Sequence, residues 1–374
     1  MPSTTHARYE LLQRGESIGV FQLEGGPMRT LMKSLAPTSF EDVAALVALY
    51  RPGPMAANMH TDYADRKNGR KPVEYLHPDA EEVLEETYGL CIYQESVMRV
   101  AQKFAGYSLA EADNLRKACG KKIRELIEKE RDKFVEGCEA TGYGRDLGNA
   151  WFDIIEPFAD YAFNKSHAYG YGFVAYQTAY LKAHYPVEYL AALLTSVKTN
   201  LEKAAVYLNE CRQRDIQVLV PDVNVSQSDF TAVLGEGGTG SIPFGLSAVR
   251  NVGEGLVELI VREREEHGPY EDFFDFCDRV DLSVLNKRAI ESLIKAGAFD
   301  AMGHPRLGLL RVHEQIIDRT LARRRKEAEG QFELFATDDA ADDAGFDDRR
   351  VEFPISSSTR RRASPSRRRC SAST

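Results

Sequence analysis

Apolar residues recur at helical spacing along most of the first half of the chain. Between residues 38 and 209 they repeat every three or four positions, and strand patterns are almost absent. Two capping boxes of the S/T-x-x-E type, from Thr38 to Glu41 and from Ser108 to Glu111, precede such stretches. Pro186 stands where a first-turn proline would begin another helix. This half is therefore predicted to be a multi-helix domain.

The pattern changes after residue 210. Short β-like runs at 216–220, 230–234 and 242–244 surround a cluster of glycines and predict a small β excursion. Residues 245–256 then predict a helix, a glycine hairpin and a new helix, and residues 285–299 look like a second, weaker copy. We expect a tandem helix-hairpin-helix.

The composition of the last residues predicts a disordered C-terminal tail. Acidic and small residues dominate 338–348, with too little apolar surface to fold, and Ser, Thr, Arg, Ala and Pro dominate from residue 355. The fold class is therefore predicted to be mainly α, with domains at 1–240, 241–326 and 327–374. For the tail we keep two hypotheses: a frameshift near Pro354, or a genuine basic disordered segment.

Composition limits the class of protein. The chain has 374 residues, 43% of them hydrophobic, and a formal net charge of -9. It has neither a signal-peptide run nor about 18 consecutive apolar residues, so we predict a soluble, cytoplasmic protein with no membrane partner. The cysteines stand apart without a C-x-x-C pair, which predicts reduced packing residues rather than a zinc site or disulfides. They are Cys91, Cys119, Cys138, Cys211, Cys277 and Cys370.

Two basic blocks are the strongest chemical signal. Residues 161–167 join Lys165, a hydroxyl and His167 ahead of an aromatic-rich helix, and residues 115–122 carry four cations on one predicted helix. Convergent cations of this kind suit a triphosphate. No phosphate-binding glycine loop or nucleophilic triad accompanies them. The aspartates at 62, 65, 272, 275 and 278 are interpreted as solvated carboxylates rather than a metal site.

Five blocks, in order, resemble the fingers region of the bacterial DNA polymerase III alpha subunits, which are C-family replicative DNA polymerases. They lie at 19–24, 50–54, 88–95, 115–122 and 161–167, and the resemblance runs from about residue 8 to 335. It implies DNA-directed DNA synthesis in chromosomal replication. It also implies that the palm, whose aspartates bind Mg²⁺, would lie before residue 1, so we expect this chain to be a fragment that is inactive alone.

The resemblance assigns roles to residues of this chain. The deoxynucleoside triphosphate would be bound at its phosphates by cations and a histidine, with Tyr161 near the base or sugar. The phosphate-binding residues would be Arg116, Lys117, Lys121, Lys122, Lys165 and His167. The family usually has arginine where this chain has Lys117, and lysine lacks the bidentate fork.

The remaining expected partners are primer-template duplex DNA, the sliding clamp and other replicase subunits. Hairpin amides and nearby cations would contact DNA phosphates without sequence preference. These residues are Arg250, Gly253, Gly255, Lys287, Arg288 and Lys295. Gln331, Leu334 and Phe335 resemble the family's clamp-binding peptide. Two alternatives stay open: a non-catalytic DNA- and clamp-binding module, and a non-functional truncated gene product.

Overall fold

The computed structural model describes residues 6–121, 124–158, 163–235 and 240–328. The chain forms two compact units, Met1–Leu190 and Ala191–Thr374. Most described residues are helical, and a three-stranded sheet lies in the second unit, so the mainly α prediction is confirmed. Among these residues, no helix is both long enough and apolar enough to cross a membrane.

In the described residues of the first unit, the regular secondary structure is helical apart from one isolated bridge between Tyr93 and Phe163. Its helices are α1 (Ala7–Gln13), α2 (Gly26–Leu35), α3 (Phe40–Leu49), α4 (Pro52–Ala56), α5 (Met59–Lys67), α6 (Glu81–Leu84), α7 (Gln94–Ala105), α8 (Leu109–Lys121), α9 (Arg124–Ala140), α10 (Arg145–Phe158) and α11 (Lys165–His184). α12 (Pro186–Ser196) begins in this unit and ends in the second. Its start at Pro186 confirms the prediction from the proline.

Two hydrophobic cores hold the first unit together. One lies among α1, α2, α3, α5 and α11, and the other among α6 to α10 around Phe104, Trp151 and Phe152. α11 packs on α3 through small side chains, and a Cβ added at Gly172 would lie 3.0 Å from the Ala44 Cα. The long helix α11 is therefore seated close to the backbone of α3.

One predicted capping box is confirmed and the other is wrong by one residue. The Ser108 Oγ accepts from the Glu111 amide at 3.3 Å, and the Glu111 carboxylate accepts from the Ser108 amide at 2.9 Å. At α3, however, the box joins Ser39 and Asp42 rather than Thr38 and Glu41. Ser39 is the extended residue before the helix, which makes Asp42 the third helical position.

The second unit combines a small sheet with helices. Its elements are α13 (Leu201–Gln213), β1 (Gln217–Leu219), β2 (Val233–Leu234), β3 (Gly240–Pro243), α14 (Glu254–His267), α15 (Phe273–Arg279), α16 (Lys287–Ala296) and α17 (Arg306–Ala328). The strand order is β1-β3-β2, with β1 parallel and β2 antiparallel to β3. The predicted β excursion is confirmed, and a core containing Phe273, Phe276 and Phe299 lies among the helices.

The first predicted hairpin differs in one respect. Where the sequence predicted a helix from residue 245, the chain forms only a 3₁₀ turn, Leu246–Ala248. The amides of Leu246 and Ser247 donate instead to the carbonyls of Gln227 and Ser228, at 2.9 and 3.1 Å. The turn ends because the next residue, Val249, has an extended backbone (φ -74°, ψ 131°), so a regular helix does not continue.

The buried cysteines confirm their predicted packing role. Cys91, Cys138, Cys211 and Cys277 are buried. The Cys119 side chain and Cys370 lie outside the described part of the chain.

Candidate nucleotide and DNA-binding sites

The N-terminus of α11 is organised by two polar side chains. Asn164 precedes the helix, and its Oδ1 accepts from the His167 amide at 2.8 Å. Glu95, from the first turn of α7, accepts from the Lys165 amide at 2.8 Å and from the Asn164 Nδ2 at 2.9 Å. A carboxylate is favourable there because the helix dipole and unpaired amides attract negative charge.

The first turn of α7 brings the two predicted basic blocks together. The Gln94 amide donates to the Phe163 carbonyl at 2.9 Å, immediately before α11. The Gln94 Oε1 accepts from Arg116 Nη1 of α8 at 3.3 Å. Residues 116 and 163 are far apart in sequence, yet one glutamine contacts both. Arg116 of α8 and the segment that immediately precedes α11 therefore lie beside the same glutamine.

Each of the three described lysine and arginine side chains of the predicted phosphate site, at 116, 117 and 165, already has a carboxylate partner. Lys165 Nζ lies 2.6 Å from the Glu86 carboxylate, which also accepts from the Tyr169 hydroxyl at 2.5 Å. Arg116 and Lys117 both contact Asp113, at 2.8 and 2.7 Å. A bound anion would have to compete with these carboxylates.

The pairing changes how two of the carboxylates titrate. Burial opposes ionisation of Glu86, but hydrogen bonds from Lys165 and Tyr169 outweigh it, so its pKa is lowered. Hydrogen bonds from Lys117 and Arg116 lower the pKa of Asp113. Both acids are ionised at neutral pH, so the pairs persist there.

An aromatic ladder extends from the same helix start. The His167 ring lies 4.5 Å from the Tyr171 ring, which lies 5.7 Å from the Phe21 ring. Tyr171 and Phe21 are both more than one third exposed. The sequence analysis missed both as site residues, although the i, i+4 spacing of His167 and Tyr171 already placed their rings on one helix face.

Further sequence blocks contribute to the surroundings. The Phe21 amide donates to the Thr178 Oγ1 at 3.1 Å, which ties the 19–24 block to α11. The Arg51 guanidinium, from the 50–54 block, lies 4.4 Å from the centre of the Phe163 ring. Tyr161, Lys122 and the side chain of Lys121 lie outside the described residues.

The first hairpin leaves the N-terminus of α14 open. Gly253 is the residue before the helix and supplies no side-chain cap. A Cβ added at Gly253 or Gly255 would meet nothing within 4 Å, and Arg250 is exposed. The first-turn amides of α14 are therefore accessible to an anion.

A lysine from another segment offsets the acid in this hairpin. Lys198 Nζ lies 2.5 Å from the Glu254 carboxylate and 2.8 Å from that of Asp229. Hydrogen bonds that Lys198 donates to Asp229 and Glu254 raise the pKa of Lys198, so it stays charged. This contact reduces the repulsion that Glu254 would otherwise exert on a phosphate.

The second hairpin copy is already capped. The Asn286 Oδ1 accepts from the amides of Arg288 and Ala289 at 3.0 and 3.2 Å. Lys287 pairs with Asp318 at 2.8 Å, and Lys295 pairs with Glu291 at 2.5 Å. The N-terminus of α16 therefore has a side-chain cap, whereas that of α14 has none.

The aspartates interpreted as solvated carboxylates have structural partners. Asp272 caps α15. Ion pairs join Asp275 to Arg279, Asp278 to Arg323, Asp62 to Lys71 and Asp65 to Arg70. In the described ranges no three His, Cys, Asp or Glu side chains are grouped to hold a metal ion. These residues therefore do not fit a magnesium site.

Two parts of the chain match known protein families. Residues 1–142 match the bacterial DNA polymerase III alpha subunit finger domain, and residues 215–309 match a helix-hairpin-helix motif. The chain is 54% identical over 343 residues to the DNA polymerase III subunit alpha of Mycobacterium tuberculosis. The aligned region covers 91% of this chain and 28% of that protein.

The chain belongs to the bacterial DNA polymerase III alpha subunit family. The relative from Thermus aquaticus is 47% identical over 90% of this chain and 27% of its own length, and that from Pseudomonas aeruginosa is 46% identical over 85% and 27%. The chain thus spans little more than a quarter of these alpha subunits. Its finger-domain match contains α7 and α8, and its helix-hairpin-helix match contains α14 and α16.

Proposed function

We propose that this chain supplies the nucleotide-binding and DNA-binding surfaces of a replicative DNA polymerase III alpha subunit. The observation that carries the proposal is the contact of Gln94 with both Arg116 and Phe163, which joins the cations of α8 to the N-terminus of α11. A helix N-terminus flanked by cations and aromatic rings suits a nucleoside triphosphate.

In this proposal the triphosphate exchanges places with carboxylates. Its oxygens bind Arg116, Lys117, Lys165 and His167, together with Lys121 and Lys122, and Glu86 and Asp113 give up their cations. Donors that hold the leaving phosphates also offset the charge that develops during nucleotidyl transfer. The base stacks along the ladder of Tyr171 and Phe21, with Tyr161 near the base or sugar.

In this proposal, magnesium is bound by residues of the parent polymerase that are absent from this chain. Such metal ions stabilise the attacking and leaving oxygens in phosphoryl transfer. We expect the purified chain alone not to extend a primer. Metal-dependent incorporation of deoxynucleotides above a mock preparation would contradict this expectation.

Nucleotide binding to the purified chain tests the main proposal. Calorimetry with a deoxynucleoside triphosphate should give a dissociation constant that rises roughly tenfold or more in Lys165→Ala, because a charge-assisted hydrogen bond is lost. Arg70→Ala is the matched control, since Arg70 is also paired with a carboxylate but lies in the segment after α5. Equal affinities in Lys165→Ala and wild type would overturn the nucleotide site.

The DNA and clamp interactions complete the proposal and also define its alternative. Duplex DNA binds at the first hairpin through Arg250, Gly253 and Gly255, and more weakly at Lys287, Arg288 and Lys295. The clamp-binding residues Gln331, Leu334 and Phe335 lie outside the described residues. Other replicase subunits are expected partners. DNA and clamp binding without nucleotide binding would favour the non-catalytic module. The absence of all three kinds of binding would favour a non-functional gene product.

A peptide covering residues 326–338 tests clamp binding directly. We expect roughly micromolar affinity for a bacterial sliding clamp, since a short linear segment loses conformational entropy on binding. Replacing Leu334 and Phe335 with alanine should weaken binding at least about a hundredfold, because two apolar side chains no longer fill the pocket. An unchanged dissociation constant would assign this segment to a linker.

A further inference from the structure

A cavity of about 340 Å³ lies in the first unit, apart from the contacts that form the nucleotide site. It is bounded by α5, the segment 74–76, the segment 89–91 and α10. Its size is at the lower end of the range of small-molecule pockets. The described lining residues include none of the cations assigned to the triphosphate.

Two buried donors at this cavity lack an acceptor. Trp151 and Arg66 both line the cavity, and within the described ranges Trp151 Nε1 and Arg66 Nε are buried without a hydrogen-bond partner. Trp151 is only 1% exposed. A buried N–H without an acceptor loses its interaction with water and gains nothing in return, so such groups are rare in folded proteins.

The rest of the Arg66 guanidinium is fixed in place. Its Nη1 donates to the Tyr88 carbonyl at 2.9 Å and to the Glu74 carbonyl at 3.4 Å. These acceptors are neutral carbonyl groups, so the positive charge of Arg66 is not cancelled by them. The orientation of the guanidinium is thereby set before any ligand binds.

The other walls are mostly apolar, and the one acidic side chain among the described lining residues, Glu74, is exposed to solvent. Met59, Leu76, Leu90 and Ile154 contribute aliphatic surface, and Leu76 and Ile154 are 43% and 38% exposed. Cys91 also lines the cavity, and burial raises the pKa of its thiol to about 12, so it adds no negative charge. Aliphatic and aromatic walls, one cation and two free donors suit a flat apolar ligand with acceptor oxygens.

We propose that this cavity binds a small aromatic carboxylate, with the ring among Met59, Leu76 and Ile154 and the carboxylate oxygens accepting from Arg66 and Trp151. The proposal does not depend on nucleotide or DNA binding by the same chain.

Trp151 provides a direct reporter, because the chain contains a single tryptophan. In a ¹H–¹⁵N spectrum of the labelled protein, the indole N–H therefore gives one resonance that needs no further assignment. Titration with benzoate should move this resonance downfield as the N–H gains an acceptor, with a dissociation constant on the order of millimolar for so small a probe. Toluene, which has the aromatic ring but no acceptor oxygen, is the control ligand for benzoate.

Variants separate the cavity from general effects. Arg66→Met should weaken benzoate binding about tenfold or more, and Ile154→Glu should weaken it through repulsion at a partly exposed rim position. Arg70→Met is the control, because Arg70 lies nearby in sequence but does not line the cavity. An indole resonance unmoved by benzoate, an equal response to toluene, or unchanged binding in both Arg66→Met and Ile154→Glu would overturn the proposal.

Discussion

At the scale of single residues, carboxylates determine the state of the candidate nucleotide site. Glu95 occupies the N-terminus of α11, Glu86 holds Lys165, and Asp113 holds Arg116 and Lys117. Asp113 holds two of these cations together, and Glu86 holds the third. These contacts also set a competition, since a bound anion gains only the difference between its own contacts and those it replaces.

The Glu86 contact predicts a pH dependence of stability. Burial opposes its ionisation, but the hydrogen bonds from Lys165 and Tyr169 lower its folded-state pKa below the ordinary value of 4.5. Its contribution is therefore complete above the unfolded-state pKa and is lost as the pH falls through the folded-state value. Urea unfolding at a series of pH values should show this loss on the acid side.

The variant Glu86→Gln isolates that contribution. We expect it to be less stable than wild type at neutral pH and to show a smaller loss of stability on acidification, since glutamine does not titrate. Glu81→Gln, at an exposed position, serves as the control. Parallel pH profiles for wild type and Glu86→Gln would mean that this ion pair does not contribute to folding.

At the scale of elements, close packing of α11 on α3 holds the site in position. Glycine at 172 is required because a Cβ there would lie 3.0 Å from the Ala44 Cα and 3.2 Å from its Cβ. Gly172→Val should lower the free energy of unfolding by about 1–3 kcal/mol, the usual cost of overpacking. Denaturant unfolding followed by circular dichroism measures it.

The same helix offers a matched control for that substitution. A Cβ at Gly170 would meet nothing within 4 Å, so Gly170→Val changes helix propensity without creating a contact. We expect Gly170→Val to be close to wild type in stability. If both variants lose the same stability, the close approach to Ala44 does not explain the loss.

A second prediction at this scale concerns DNA binding at the first hairpin. Valine at Gly253 and Gly255 should leave the fold intact, because both positions are open, but should keep phosphates away from the first-turn amides of α14. Fluorescence anisotropy with duplex DNA should show weaker binding and a shallower salt dependence. Asn286→Ala, in the copy whose amides are capped, should change DNA affinity little, and a larger effect there than at Gly253 and Gly255 would reverse the assignment.

At the scale of the whole molecule, each unit contains a hydrophobic core of its own. Phe104 lies in a core of the first unit, and Phe276 lies in the core of the second. Phe276→Ala should cost its unit about 3–5 kcal/mol. Hydrogen exchange followed by mass spectrometry should then show lost protection in residues 191–328 and unchanged protection in residues 6–158.

The reciprocal variant completes that experiment. Phe104→Ala should reduce protection in the first unit and spare the second. Loss of protection in both units after either substitution would show that they unfold together, and the two cores would then act as one cooperative system.

The sequence alone determined most of the helical segments and the family that the chain resembles, because both depend on local patterns and short blocks, although the helix predicted from residue 245 forms only a 3₁₀ turn. Helical spacing, the Ser108 box and Pro186 identified elements correctly, since those signals act within a few residues. The 38–41 box was wrong by one residue, because neighbouring Thr38 and Ser39 offer similar hydroxyls and only the backbone conformation selects Ser39.

Tertiary structure decided what the site residues contact, because those contacts join segments distant in sequence. Gln94 linking Arg116 to Phe163, Lys165 paired with Glu86, and Lys198 paired with Glu254 have no local signature. The contact between Phe21 and Tyr171 is of the same kind. Local spacing sets which face of a helix a side chain occupies, whereas the packing of α7, α8 and α11 sets which charge or ring it meets.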